Sequence, residues 1–349
     1  MLYNNKIISF NSKEDKKDRF RLFNYIHTCN YYNLEKNWDF RLGSNKKDGV
    51  FTPWYVTGIC DGEGSFQITI QDIKGKGYTG YKPFLEFKVT QKEDSSGMLY
   101  ELKRYFKCGR ISIDNRKTQT MKFVVTSNND LVDKIIPHFD VYPLKTSKFL
   151  NYLNFKSAVL FMKDKQHYNL NGIEWLKEIK SKMNKARSFK DKFNFCWSKD
   201  IILTSEWIQG FIDGEGSFQS EISISKSNNL KVLINFSLQI KQNNHDVAVL
   251  NAIKEFFDSG YLKSKYNIRS LDESENCIRN TTALWIRNTE IICKFFDKYP
   301  LYTIKKLDYL DWKRLINLKS QNAHLNNKGL DLMKDIKNNM NANRFKNSS

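Results

Sequence analysis

The chain has 349 residues, 40% of them hydrophobic and 14% aromatic, which is enough for two domains of ordinary size with apolar cores. A formal net charge of +19 and a pI near 9.4 call for a polyanionic partner, either nucleic acid or an anionic membrane surface. No apolar run approaches the length of a membrane-crossing helix and the mean hydropathy is −0.60, which argues against bilayer insertion and leaves nucleic acid. The cysteines (Cys29, Cys60, Cys108, Cys196, Cys277, Cys293) form no C-x-x-C pair, so free thiols in a reducing compartment are expected. The histidines cluster neither with one another nor with the cysteines, which argues against a zinc or histidine-metal nuclease.

Residues 1–50 mix acids with bases, as in Lys13-Glu14-Asp15-Lys16-Lys17-Asp18. They show neither the Arg-rich, acid-poor pattern of a transit peptide nor the apolar core of a secretory signal, and are read as an extension of unknown role. Richness in Asn, Lys, Ile and Tyr is what an AT-rich genome encodes, which suits synthesis inside an organelle. Thr52-Pro53 then forms an N-cap and N1 pair. A short apolar helix is predicted to follow, in the stretch from Trp54 to Phe66 that closes on Asp61-Gly62-Glu63-Gly64-Ser65-Phe66. Gly58 and Gly62, four apart, leave a bare stripe where another backbone can approach.

The next strand alternates, with Phe66, Ile68 and Ile70 on a core face and Ser65, Gln67, Thr69 and Gln71 on a polar one. A second strand, Lys82 to Thr90, places Leu85, Phe87 and Val89 inward and Glu86 and Lys88 outward. A helix over 92–106, a strand pair at 110–116 and 119–126, and a helix over 130–140 complete an α-β-β-α-β-β-α unit. Residues 185–205, rich in Lys, Phe and Ser, are read as an inter-domain linker.

The unit then recurs. Trp207 to Phe218 repeats the glycine stripe (Gly210, Gly214) and the acid (Glu215). Gln91 matches Gln242, Leu99 matches Leu250, Gly109 matches Gly260, and Tyr142-Pro143-Leu144 matches Tyr299-Pro300-Leu301. His167, Gly172, Met183 and Asn184 map onto His324, Gly329, Met340 and Asn341 with one offset, and the two histidines suit packing or capping better than catalysis. The second polar faces carry Ser217, Gln219, Glu221, Ser223 and Ser225, then Lys231, Leu233, Asn235, Ser237, Gln239 and Lys241. Such amides, lysines and carboxylates can read base edges in a major groove, although alternation alone also fits an ordinary solvated face.

Packing the two glycine stripes together would set Glu63 beside Glu215. Two carboxylates that close need a counter-charge, and a hard divalent cation, read here as Mg²⁺, is the usual remedy. Asp61 and Asp213, two residues earlier, are taken as structural.

Val56–Gly64 and Ile208–Gly216, with the flanking Pro53-Trp54 and the Glu-Gly-Ser-Phe endings, resemble the paired motifs of the LAGLIDADG homing endonucleases. The likeness is to the single-chain, two-motif branch common in fungal mitochondrial introns, and it spans about residues 53 to 341. It implies an α+β fold of two pseudo-symmetric αββαββα domains packed through their motif helices, a monomer with an internal pseudo-dimer, each half laying an antiparallel sheet along double-stranded DNA. The expected division is an extension at 1–50, domains at 51–184 and 206–341 joined by 185–205, and a tail at 342–349.

By the same resemblance Glu63 and Glu215 hold the catalytic metal with the carbonyls of Gly62 and Gly214, while Gln91, Gln242, Lys148 and Lys305 stand near the scissile phosphates. The polar faces become DNA contacts. The implied activity is a metal-dependent double-strand cut at a long asymmetric target, promoting intron mobility in mitochondria. The alternatives are a maturase that binds its own intron RNA to assist group I splicing, a bifunctional nuclease and maturase, and a basic DNA-binding protein without activity.

Overall fold

The computed structural model describes residues 51–75, 78–197, 200–224, 232–264 and 281–344. The 1–50 extension, Ser225, Lys231, Cys29, Cys277 and most of the C-terminal tail lie outside the described residues. Two antiparallel four-stranded sheets repeat one topology. In the first, β1 (Gly64–Gly75), β2 (Tyr78–Lys92), β3 (Arg110–Asn115) and β4 (Thr120–Val125) lie in the order β1-β2-β4-β3. In the second, β5 (Gly216–Ile224), β6 (Val232–Asn243), β7 (Tyr261–Lys263) and β8 (Thr281–Ile286) lie in the order β5-β6-β8-β7.

The helices of the first repeat are α1 (Pro53–Glu63), α2 (Ser96–Phe106), α3 (Ile136–Val141), α4 (Lys148–Lys163) and α5 (Leu170–Ser181). Then come α6 (Phe189–Trp197), α7 (Ser205–Glu215), α8 (Val247–Phe256), α9 (Thr289–Lys298), α10 (Lys305–Ser320) and α11 (Asn327–Asn338).

Each motif helix starts on a threonine cap, Thr52 Oγ1 accepting from Tyr55 N at 3.3 Å and Thr204 Oγ1 from Trp207 N at 3.2 Å. The glycine stripes meet as their spacing predicts. A Cβ at Gly58 would stand 2.1 Å from the Trp207 carbonyl, and one at Gly210 2.2 Å from that of Tyr55, so the two backbones touch.

One face of each sheet packs on helices. Phe66 is the hub of the first core, its ring centroid 5.2 Å from Phe87, 5.5 Å from Phe139 and 5.3 Å from Phe155. Phe218 has the same place in the second core, 5.4 Å from Phe296 and 5.5 Å from Trp312. All of these side chains are fully buried, each worth about 1.5–3 kcal/mol of transfer free energy. The shared Met-Asn pairs close each unit: Asn184 Nδ2 donates to Phe66 O and Asn341 Nδ2 to Phe218 O, both at 3.0 Å.

Two expectations change. The helical stretch before α3 contains a π-turn, Leu131–Ile135, because Pro137 has no N–H to donate and its ring crowds the carbonyl four residues back. The 185–205 stretch, read as the inter-domain linker, holds a helix, α6, that its composition did not suggest. Phe189 and Phe193 stack along it at 5.9 Å, Phe195 stacks on Phe149 at 5.6 Å, and Cys196 is buried with its thiol donating to Asp246 Oδ1 at 3.1 Å. The two histidines singled out as packing residues lie in 3-10 turns between helices, at Gln166–Tyr168 and Ala323–Leu325.

His138 is buried between Thr57 and Tyr105. Thr57 Oγ1 donates its proton to Tyr142 O at 2.9 Å, so it can only accept from His138 Nε2 at 3.2 Å, and Nδ1 accepts from Tyr105 Oη at 3.1 Å. The neutral ring is fully satisfied, and burial pushes its pKa down to about 3. A pKa lowered on folding means that the unfolded chain takes the proton first, so stability is complete above about pH 6.5 and falls as pH drops below it. We expect a loss of about 2 kcal/mol between pH 6.5 and 5, at ~1.4 kcal/mol per pH unit. Urea midpoints across that range should flatten in His138→Gln; an unchanged slope would contradict the assignment.

Candidate active site

The ends of α1 and α7 bring the two motif acids together. A Cβ at Gly62 would lie 3.2 Å from Glu215 Cγ, and one at Gly214 3.3 Å from Glu63 Cγ, so each glutamate reaches across the other helix's glycine. Burial raises the Glu63 carboxyl above the usual carboxylate range and the Glu215 charge raises it further, while Lys305, Lys148 and a hydrogen bond from Gln91 pull it back. Burial likewise raises Glu215, opposed by Lys305, Lys148 and a hydrogen bond from Gln242. Gln91 and Gln242, which the family resemblance placed near the scissile phosphates, are thus the partners of the two acids.

Lys148 and Lys305 open α4 and α10 and turn inward. Lys148 Nζ donates to the carbonyls of Gly62 at 2.9 Å and Cys60 at 3.0 Å, and Lys305 Nζ donates to that of Gly214. Burial lowers the pKa of both lysines, and the surrounding carboxylates raise it in part. Two half-buried acids therefore face two half-buried bases, a quartet with no net charge when all four are ionised.

Asp61 and Asp213 fix where those lysines stand. Asp61 accepts from Lys145 N at 2.8 Å, Thr146 N at 3.1 Å, Thr146 Oγ1 at 2.6 Å and, across the helix pair, Trp207 Nε1 at 2.8 Å. Asp213 accepts from Tyr302 N at 2.7 Å, Thr303 N at 3.1 Å, Thr303 Oγ1 and, across the pair, Tyr55 Oη at 2.7 Å. Tyr55 and Trp207 are therefore the equivalent pair, whereas Trp54 packs on Tyr142 at 5.4 Å and under Lys145. Sequence reading took the two aspartates as structural without finding these partners. The available signal was a threonine two residues before each lysine, in Thr146-Ser147-Lys148 and Thr303-Ile304-Lys305. Tyr55→Phe leaves Asp213 one donor short in a buried site and should cost about 1–3 kcal/mol, read as a lower urea midpoint at constant m-value.

The oxygens gathered here are two carboxylates and two backbone carbonyls. Among the described residues no group of three or more His, Cys, Asp or Glu side chains forms a metal cage, so a metal at this site would rest on these oxygens. An all-oxygen set without nitrogen or sulfur donors suits a hard divalent cation, and the carbonyls of Gly62 and Gly214 are the ones the two ammonium groups now hold.

The first polar face is assembled as predicted. Ser65, Gln67, Thr69 and Gln71 pair across β1 and β2 with Lys88, Glu86, Phe84 and Lys82. Sequence reading missed that β3 and β4 extend this face with Arg110, Ser112 and Lys122; Arg110 and Ser112 are the cross-strand partners of Val124 and Lys122, and Lys122 is that of Thr90. Their signal was the alternation within 110–116 and 119–126. On the second sheet Ser217, Gln219, Glu221 and Ser223 pair with Gln239, Ser237, Asn235 and Leu233, and Lys241 lies exposed beyond them. Two of these residues are not open to solvent as expected: Ser237 is 7% and Gln239 8% exposed. Ser217 Oγ is engaged by Asn341 and Gln219, at 3.2 and 2.7 Å.

The family model for LAGLIDADG endonucleases matches residues 56–159 and 208–316, one copy on each half of this pseudo-symmetric site. The chain belongs to the LAGLIDADG endonuclease family. Among curated LAGLIDADG relatives, probable intron-encoded endonuclease 3 of Neurospora crassa is 29% identical over 290 residues, covering 80% of this chain and 52% of its own length. Probable intron-encoded endonuclease 2 of the same fungus is 28% identical over 309 residues, with 82% and 65% covered. The chain thus spans about half to two thirds of these relatives. Of solved LAGLIDADG structures, I-SmaMI bound to an uncleaved DNA target in the presence of calcium ions superposes with a TM-score of 0.71 at 26% identity, over 83% of this chain and 99% of that one. Among the described residues no helix is long and apolar enough to cross a membrane.

Proposed function

We propose that this chain is a site-specific DNA endonuclease of intron homing, which makes a double-strand cut at a long asymmetric target. The observation that carries the proposal is the quartet of Glu63, Glu215, Lys148 and Lys305 at the foot of two pseudo-symmetric sheets. In this reading the chain acts as a monomer whose halves supply one half-site each, and it works in the mitochondrion, where fungal introns of this kind reside.

Glu63 and Glu215, with the carbonyls of Gly62 and Gly214, would hold Mg²⁺. When bound, the metal supplies an activated water and neutralises charge building on the phosphorus and the leaving oxygen. Gln91 and Gln242 fix the rotamers of the two carboxylates. Lys148 and Lys305 carry the positive charge that meets the scissile phosphates once they leave the two carbonyls, and Asp61 and Asp213 hold the loops that aim them. Residues on the two polar faces, Ser65, Gln67, Thr69, Gln71, Glu86 and Lys88 against Ser217, Gln219, Glu221, Ser223, Asn235 and Lys241, are proposed to meet bases in the major groove.

The test is a gel shift in calcium. The full chain is titrated onto a duplex spanning the exon junction of the intronless host gene, then onto the intron's own RNA. Tight, sequence-dependent binding of the duplex supports the proposal. Binding of the RNA alone would move the chain to the maturase reading.

A further inference from the structure

On the first sheet, three side chains from three strands converge. Lys88 of β2 and Lys122 of β4 stand on the polar face as diagonal neighbours, since Lys88 pairs with Val124 and Thr90 with Lys122. Asp114 lies between them, its Oδ1 at 3.5 Å from each ammonium nitrogen. Glu86 closes the chain of charges at 3.8 Å from Lys88.

Asp114 reaches that position through a bulge. The β3–β4 register runs Ile113 to Met121 and then Asn115 to Thr120, so Asp114 is the extra residue on its strand. The bulge is held from the turn side: Asn115 Oδ1 accepts from Lys117 N at 2.9 Å and Thr118 N at 3.4 Å. At the matching register of the second sheet, Gln239 stands for Lys88 and Ala283 for Lys122.

From this arrangement we infer that Asp114 is a positioning residue for base reading. It holds Lys88 and Lys122 as a two-pronged donor that reads two neighbouring guanines in the half-site under the first sheet. The inference rests on the proposed DNA function. Both ammonium groups lie 3.5 Å from one oxygen, so they are no more than about 7 Å apart, which matches one or two base steps of ~3.4 Å. Lysine donates to guanine O6 and N7 and finds no such pair of acceptors on another base. Without the carboxylate, two mobile lysines would drift to phosphates, which give affinity and no sequence information. The pairs are partly sheltered, with side-chain exposures of 19%, 21% and 24% for Lys88, Lys122 and Asp114, so the geometry is kept with the DNA absent.

The experiment is selection from a randomised duplex library by the full chain in calcium, read by sequencing. The wild-type sites should carry two guanines, adjacent or one base apart, in the half-site under the first sheet. Asp114→Asn should flatten those two columns about tenfold and leave the others intact, with a nearly unchanged melting temperature because asparagine keeps the side chain's shape and ion pairs at a sheet surface contribute little to stability. Lys88→Met and Lys122→Met should each flatten one column. The inference is overturned if the columns persist in Asp114→Asn, or if the lysine variants weaken all sequences alike, as phosphate contacts would. If the wild type enriches no sequence at all, the DNA reading itself fails and this inference falls with it.

Discussion

Glu63→Gln combined with Glu215→Gln should abolish cutting of a target plasmid while leaving calcium-dependent DNA binding within a few-fold of wild type. Each carboxylate is a proposed metal ligand that a glutamine amide replaces in shape and not in charge, and it sits in a half-buried site flanked by a lysine. Losing one such catalytic group costs on the order of a hundredfold or more. The single variants separate the halves. If each acid serves one strand, either substitution leaves a slow nick on the strand served by the other, so supercoiled plasmid becomes open circle before linear. Equal and complete loss in both single variants would show a shared centre instead. Binding should persist because the acids lie at the helix ends, beneath the sheets that are proposed to carry the base contacts.

Gly58→Ala should cost more than about 3 kcal/mol, because its new Cβ would fall 2.1 Å from a backbone carbonyl of the partner helix and neither backbone can yield without moving a domain. In a chain of this size that is a fall of about 4 °C or more in melting temperature. Gly210→Ala, at 2.2 Å from the opposite carbonyl, should behave alike. Gly97→Ala is the internal control. That glycine lies within α2, exposed, with nothing within 4 Å of an added Cβ, so the change should be neutral or stabilise by about 0.5–1 kcal/mol. A Gly58→Ala protein as stable as wild type would mean that the motif helices do not meet as described.

These two cases also mark what was readable in the chain. The glycine stripes, the paired acids and the strands after them were legible because their signals are local and occur twice: a four-residue spacing, a period of two, and one repeated offset. The hydrogen bonds of Trp207 to Asp61 and of Tyr55 to Asp213 were not, since they join residues about 150 apart and depend on the packing angle of the two helices. The same holds for the lysine ammonium groups on the Gly62 and Gly214 carbonyls. Helix α6 was hidden by composition, because Lys and Ser mask an apolar set, Phe189 and Cys196, that is buried only in the folded chain. Burial of Ser237 and Gln239 could not follow from alternation, which assigns a face and not what covers it. The bulge at Asp114 breaks the period that sequence reading relies on.

The quartet at the foot of the two sheets is proposed to cut DNA with a divalent metal. The most direct measurement offers purified full chain two plasmids in Mg²⁺, one with the intronless host gene and one with the intron in place, followed by the same pair in EDTA. The account predicts linear product from the intronless plasmid in Mg²⁺, and none from the interrupted plasmid or in EDTA. Undiminished cutting in EDTA, or intact supercoiled DNA in every lane from a chain that binds the intronless site tightly, would contradict it.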